Sequence, residues 1–211
     1  MTTESLDNIG RHFRTDKSSL HHDYLRFYER FLAELRSAAR LTVLEIGVNE
    51  GASIRMWEQY FTCALVIGVD INPGAAVHAT DRIRIEIANQ SDVADLVALA
   101  TKYGPFDLIV DDGSHVWDHQ IITFQWLYPF VRQGRYYILE DIDTSYGGYA
   151  ETYRGSSPIS AASYLQRFTD YMVGDTALDL SDQQDAFIRG FARRTEFIAY
   201  HRRTAVIRRR G

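Results

Sequence analysis

Short apolar runs return along this chain, each followed by turn residues or by a segment with helical spacing, and that alternation limits it to a β/α fold. The runs fall at residues 41–46, 65–69, 83–87, 108–110 and 136–139. Between them, residues 52–60, 91–103 and 117–131 carry apolar side chains at helical spacing, with Ser91-Asp92 as an N-cap and Gly134 as a stop. Continuously apolar strands this short lie inside a parallel sheet covered on both faces. The pattern changes near the C-terminus, where residues 195–200 and 204–208 alternate apolar and polar around a turn at 201–203, which predicts an antiparallel hairpin. The expectation is an α/β, Rossmann-like, seven-stranded, mostly parallel sheet with an antiparallel C-terminal hairpin and helices on both faces. Ligands of such sheets bind at the carboxyl ends of the parallel strands.

The flanking segments are read the same way. Residues 18–36 place Leu20, Tyr24, Phe27, Tyr28, Phe31, Leu32 and Leu35 on one broad face, predicting an amphipathic helix after a polar loop, packed on the sheet or forming a dimer contact. Residues 143–157, rich in Gly, Ser, Thr and Tyr, read as a long loop beside a strand end, and residues 159–191 as helical. The 211 residues make one domain, with residues 1–38 an N-terminal lid and helix, 39–142 the core, 143–194 the substrate loop and helices, and 195–211 the hairpin.

Composition excludes several classes. Cys63 is the only cysteine, so there is no intrachain disulfide and no cysteine-built zinc site, and a cytoplasmic setting is expected. Neither a signal-peptide core near the first residue nor a run of membrane-spanning length is present. A net charge of −5 disfavours a nucleic-acid binder, and the C-terminal arginines read as a solvated strand end.

Two acidic clusters carry the chemistry. Asp111-Asp112-Gly113-Ser114-His115 and Glu140-Asp141 each follow an apolar run, and so fall at neighbouring strand ends. Hard divalent cations such as magnesium take oxygen ligands, and Asp112, Glu140 and Asp141 supply three carboxylates. Adjacent residues of a regular strand point to opposite faces, so Glu140 and Asp141 converge only where the strand ends and the chain turns. His115, three residues beyond Asp112, is placed to act as general base. Asp111 is left open between a cofactor contact and a hydrogen bond to backbone.

The first strand runs through Glu45 into Gly47-Val48-Asn49-Glu50-Gly51, a Gly-x-x-x-Gly turn opening a helix. Asn49 stands where the dinucleotide fingerprint needs its middle glycine, which counts against a nicotinamide dinucleotide. Asp70 ends the second strand where an acid commonly holds ribose hydroxyls. Gln90 and Ser91 follow the third, facing an adenine edge or capping a helix. An adenosine cofactor without phosphates fits, and Glu45 suits the cationic end of S-adenosylmethionine.

With these motifs the chain resembles the metal-dependent class I S-adenosylmethionine-dependent O-methyltransferases of natural-product sugars. The resemblance rests on Phe13 to Lys17 with His22 and Tyr24, Leu44 to Val48, Arg55-Met56-Trp57, Gly68-Val69-Asp70, Asn89 to Asp92 and the two acidic clusters. It implies Mg2+ on Asp112, Glu140 and Asp141, His115 as base, cofactor contacts from Glu45, Gly47, Asp70, Gln90 and Ser91, and a lid at residues 15–17. A small-molecule acceptor, methyl transfer to a hydroxyl and assembly as a homo-oligomer go with it. A carboxylate acceptor and a non-catalytic methyltransferase-like binding protein are the alternatives.

Overall fold

A computed structural model describes residues 4–174 and 185–211. Among them one sheet contains β1 (Leu41–Ile46), β2 (Ala64–Asp70), β3 (Ile83–Ile87), β4 (Phe106–Asp111), β5 (Val131–Leu139), β6 (Thr195–His201) and β7 (Thr204–Arg209). The order is β3-β2-β1-β4-β5-β7-β6. Pairing is parallel from β3 to β5, and β7 runs antiparallel to both β5 and β6. The expected sheet is therefore present, and strand order reverses between β1 and β4, which opens a crevice at their carboxyl ends.

Period-two alternation sorts the core into two layers. Val43, Val66, Leu108, Val110, Tyr136, Ile138 and Val206 face one side, where α1 (Leu6–Phe13), α2 (Leu25–Leu32) and α3 (Ala52–Tyr60) cover them. Leu44, Ile67, Val69, Ile109, Tyr137, Leu139 and Ile207 face the other, under α4 (Val93–Tyr103), α5 (Trp117–Leu127), α7 (Ala161–Val173) and α8 (Ala186–Phe191). A short α6 (Tyr149–Tyr153) lies between α5 and α7 in sequence. No helix among the described residues is long and apolar enough to cross a membrane.

Several boundaries differ from expectation, each for a local reason. The N-terminal helix begins at Leu25 and not at Ser18, because Asp23 adopts a left-handed φ of 59° and residues 15–23 close a series of turns. The segment before it is α1, capped by Ser5, whose buried Leu6 and Ile9 occupy one side of an otherwise polar sequence. Tyr24, Phe27 and Tyr28 are buried against the chain's own sheet, and Phe27 stacks on His201 with ring centroids 5.0 Å apart. Gly134 is no helix stop, since it sits inside β5 at φ +72° and α5 ends earlier, at Leu127, followed by a 3-10 turn over Tyr128–Phe130. Residues 143–157 are not a plain loop, since they contain most of a 3-10 turn, Ile142–Ser145, and α6. Residues 175–184, part of the expected helical region 159–191, lie outside the described residues.

Candidate functional site

A cavity of about 620 Å3 opens at the carboxyl ends of β1, β2 and β4, where the fold places a ligand. One half is built by the turn after β1. Gly47 has φ +91°, and a Cβ there would stand 2.0 Å from the Asp112 carbonyl oxygen, so only glycine lets this turn pack against the loop after β4. The Asp70 carboxylate reaches under the same turn and accepts the backbone N–H groups of Val48 and Asn49, at 2.9 and 3.0 Å, and of Asn72 at 2.8 Å. Burial alone would raise the Asp70 pKa, but these backbone donors outweigh it and hold the carboxyl below its ordinary value.

The other half is the loop after β4. Asp111 is buried with its carboxylate accepting Tyr137 Oη at 2.9 Å and Gln90 Nε2 at 2.9 Å. Burial pushes its pKa up to about 7, against the pull of those two donors. Gln90 then accepts the Ser114 N–H through Oε1 at 2.7 Å, and Gly113 leaves the space, since a Cβ there would stand 2.2 Å from that oxygen. Tyr137, Asp111 and Gln90 thus fix the loop that carries Asp112 and His115.

His115 adopts φ +58°, which swings its ring over the strand ends, with Nε2 3.9 Å from Asp112 Oδ1 and 3.6 Å from Asp141 Oδ2. Asp141 turns the same way, at φ +52°, just beyond β5, which is the bend that the Glu140-Asp141 pair requires. Ligand atoms of Asp112, His115 and Asp141 all lie within 4.8 Å of one another, a grouping that a single cation can occupy. Asp141 also accepts Tyr24 Oη at 2.6 Å and pairs with Arg203, 3.3 Å away. The His115 Nδ1 is buried without a hydrogen-bond partner among the described residues.

Behind this front lies a second, fully buried layer. Lys17 Nζ contacts Asp112, lies 2.8 Å from Glu140 Oε2 and 3.7 Å from Glu45 Oε1. Tyr28 Oη donates to Glu140 Oε1 at 3.0 Å. Ser53 Oγ and Trp57 Nε1 donate to Glu45, at 2.8 and 3.3 Å. Burial pushes Glu45 up to about 7, with Lys17 pulling it back, and raises Glu140 and Asp112 in the same manner.

Most of the expected site residues meet in one place, and some do not. Gly47, Asp70, Gln90, Asp112, His115 and Asp141 line the cavity. Glu45 does not, because its register in β1 turns it toward the α3 side with Val43, and the cation it meets is the protein's own Lys17. Gly51 and Ser91 are absent from the lining as well. Gly51 instead clears the His78 ring, which a Cβ would approach at 2.6 Å, and the Ser91 hydroxyl donates to Asn89 at 2.8 Å. Asp111 is a support for Gln90 and not a cavity wall. Glu140 faces Lys17 and Tyr28 behind Asp112. Of the expected lid segment, Thr15 and Asp16 line the cavity and Lys17 is buried behind it. The contacts of Tyr24, Tyr28, Arg203 and Lys17 with the acids were not legible in the sequence, since the tyrosines share the spacing of core residues and Lys17 lies 123 residues from Glu140.

The chain is 38% identical over 177 residues to the 8-demethyl-8-alpha-L-rhamnosyl tetracenomycin-C 2'-O-methyltransferase of Streptomyces olivaceus, a match covering 78% of this chain and 45% of the relative. It is 33% identical to the demethylmacrocin O-methyltransferase of Streptomyces fradiae, over 78% of this chain and 44% of the relative. To the mycinamicin VI 2''-O-methyltransferase of Micromonospora griseorubida it is 35% identical, over 69% of this chain and 39% of the relative. The chain therefore spans less than half the length of these curated relatives. Among solved structures, the methyltransferase MycE of the mycinamycin biosynthetic pathway, in complex with Mg, SAH and mycinamycin VI, superposes with a TM-score of 0.82 at 27% identity, covering 99% of this chain and 55% of that one. The fold is that of a class I methyltransferase, and the resemblance to natural-product sugar O-methyltransferases covers up to 78% of the chain in sequence, with MycE covering 99% of it in structure. No protein-family model matches.

Proposed function

With sugar O-methyltransferases as its relatives, we propose that this chain transfers a methyl group from S-adenosylmethionine to a hydroxyl of a glycosylated natural product, using a divalent cation. The observation that carries the reading is the meeting of Asp112, His115 and Asp141 within 4.8 Å in the lining of a cavity that the Gly47–Asp70 turn also lines. That turn suits an adenosine cofactor, because its backbone is brought close by Gly47 and Asp70 stands at its base. The donor set suits a hard cation, since the cluster is built of carboxylates with an imidazole beside it.

Asp112 and Asp141, with Glu140 behind them, would hold the ion, whose chemistry when bound is to lower the pKa of a hydroxyl and steady its charge. S-adenosylmethionine supplies the electrophilic methyl. His115, open at Nε2 toward both aspartates, takes the proton from the acceptor hydroxyl. Tyr24 and Arg203 fix Asp141, while Tyr137, Asp111 and Gln90 fix the His115 loop, so that the reacting groups are held in place before substrate arrives. Thr15 and Asp16 line the same cavity. The test is mass-spectrometric detection of methylated product from a panel of rhamnosylated and other glycosylated polyketides, with Mg2+ and after chelation. A product that appears equally well in chelator contradicts the metal's part, and methylation confined to small carboxylic acids contradicts the hydroxyl acceptor.

A further inference from the structure

The chain contains 21 arginines and only two lysines, Lys17 and Lys102. Lys102 is an exposed surface residue paired with Glu86, whereas Lys17 has a side-chain exposure of 1% and contacts carboxylates from the ends of three different strands. Where arginine is otherwise the preferred cation, the choice of lysine at the most enclosed position has a physical reason. A compact ammonium can donate to Asp112 and Glu140 at once and still lie 3.7 Å from Glu45, while the planar fork of arginine suits a single carboxylate edge.

We propose that Lys17 is a positioning residue for the metal site, a permanent internal counter-ion that pins Asp112 and Glu140 from behind and fastens the N-terminal segment to the strand ends. This rests on the functional reading above only in naming the ion a divalent metal. The same segment supplies Tyr24 to Asp141 and Tyr28 to Glu140, so residues 17–28 touch each of the three carboxylates that close the site. Breaking the Lys17 anchor leaves Glu140 and Glu45 buried without a cation, and both must relax. Asp112 and Asp141 face the cavity and remain in place for the ion, but their geometry is no longer held.

Two measurements test this without any acceptor substrate. The first uses the wild-type protein and a lysine-acetylating reagent followed by peptide mass spectrometry, with Lys102 as internal control. Lys17 is expected to react at least ~100-fold more slowly than Lys102, with or without chelator, because its exposure requires sub-global opening; equal rates overturn the proposal. The second compares Mn2+ affinity, read by paramagnetic resonance of the free ion, in wild type, Lys17→Gln and Lys17→Met. Loss of a group that orients metal ligands is expected to weaken binding ~10–100-fold, with S-adenosylhomocysteine binding changed much less. Unchanged or tighter Mn2+ binding in folded Lys17→Gln overturns the proposal, the latter because it means that the ammonium competes for the ion's place. Failure of the wild type itself to bind Mn2+ would strike at the metal reading, while the acetylation result would still decide whether Lys17 is anchored.

Discussion

Among single residues, the site depends on a few positions where one side chain, or none, is compatible with the backbone. Gly47 is the sharpest, because a methyl there meets both a left-handed φ and the Asp112 carbonyl. Gly47→Ala is expected to cost at least ~2 kcal/mol in urea denaturation, and to weaken S-adenosylhomocysteine binding measured by calorimetry. Asp70 gives a pH-dependent counterpart. Its pKa is lower in the folded chain than in the unfolded one, so the unfolded state binds more protons as pH falls. The stability it contributes is present above the unfolded value, about 4, and is lost as pH drops through the depressed folded value. Thermal unfolding across the acid range, from about pH 5 to about pH 2.5, should show this limb in wild type and a weaker one in Asp70→Asn, which should also bind the cofactor product less tightly at neutral pH. Gly47 and Asp70 were legible in the sequence because each sits at a fixed offset from a strand. The surroundings of Glu45 were not legible, because a carboxylate at a strand end looks the same in sequence whether it faces a ligand or, as here, an internal lysine.

Among elements, the loop after β4 is positioned by groups drawn from three others. Tyr137 on β5, Gln90 after β3 and Thr123 on α5 meet around Asp111 and the loop, with Gln90 Nε2 donating to Thr123 at 3.1 Å and to Asp111 at 2.9 Å. Tyr137→Phe removes one donor to a buried carboxylate and should destabilise the fold by ~1–3 kcal/mol. Turnover should fall further than cofactor affinity, because Asp112 and His115 ride on that loop; steady-state kinetics beside calorimetry would show the split. The hairpin contributes through its turn, where the Arg203 carbonyl accepts the Ile142 N–H and its guanidinium faces Asp141 and Asp143. Arg203→Ala should leave thermal stability nearly unchanged, since the side chain is one-third exposed, while lowering turnover by loosening Asp141. Strand identities and three helices were legible in the sequence from apolar periodicity. The N-terminal boundary was not, because the left-handed turn at Asp23 carries no glycine to announce it, and α1 has too few apolar residues to stand out.

In the molecule as a whole, the two core layers and the site are one construction. The helices α1 and α2 cover one face of the sheet, and the segment from Lys17 through Tyr24 and Tyr28 also holds the carboxylates at its edge. Periodicity revealed that a sheet exists and which edge carries the cavity, but pairings across 95 to 123 residues leave no local pattern, so the buried layer behind the acids is visible only in three dimensions. Although the chain spans less than half the length of its curated relatives, its own strand ends bring Asp112, His115 and Asp141 together, and in the proposed function His115 is the proton acceptor. The most direct test follows transfer of an isotopically labelled methyl from S-adenosylmethionine to a glycosylated polyketide with Mg2+, in wild type and in His115→Ala. Labelled product is expected from wild type and at least ~100-fold less from His115→Ala, with S-adenosylhomocysteine affinity nearly equal in the two. Turnover of His115→Ala at the wild-type rate would contradict the assignment of this histidine as the base.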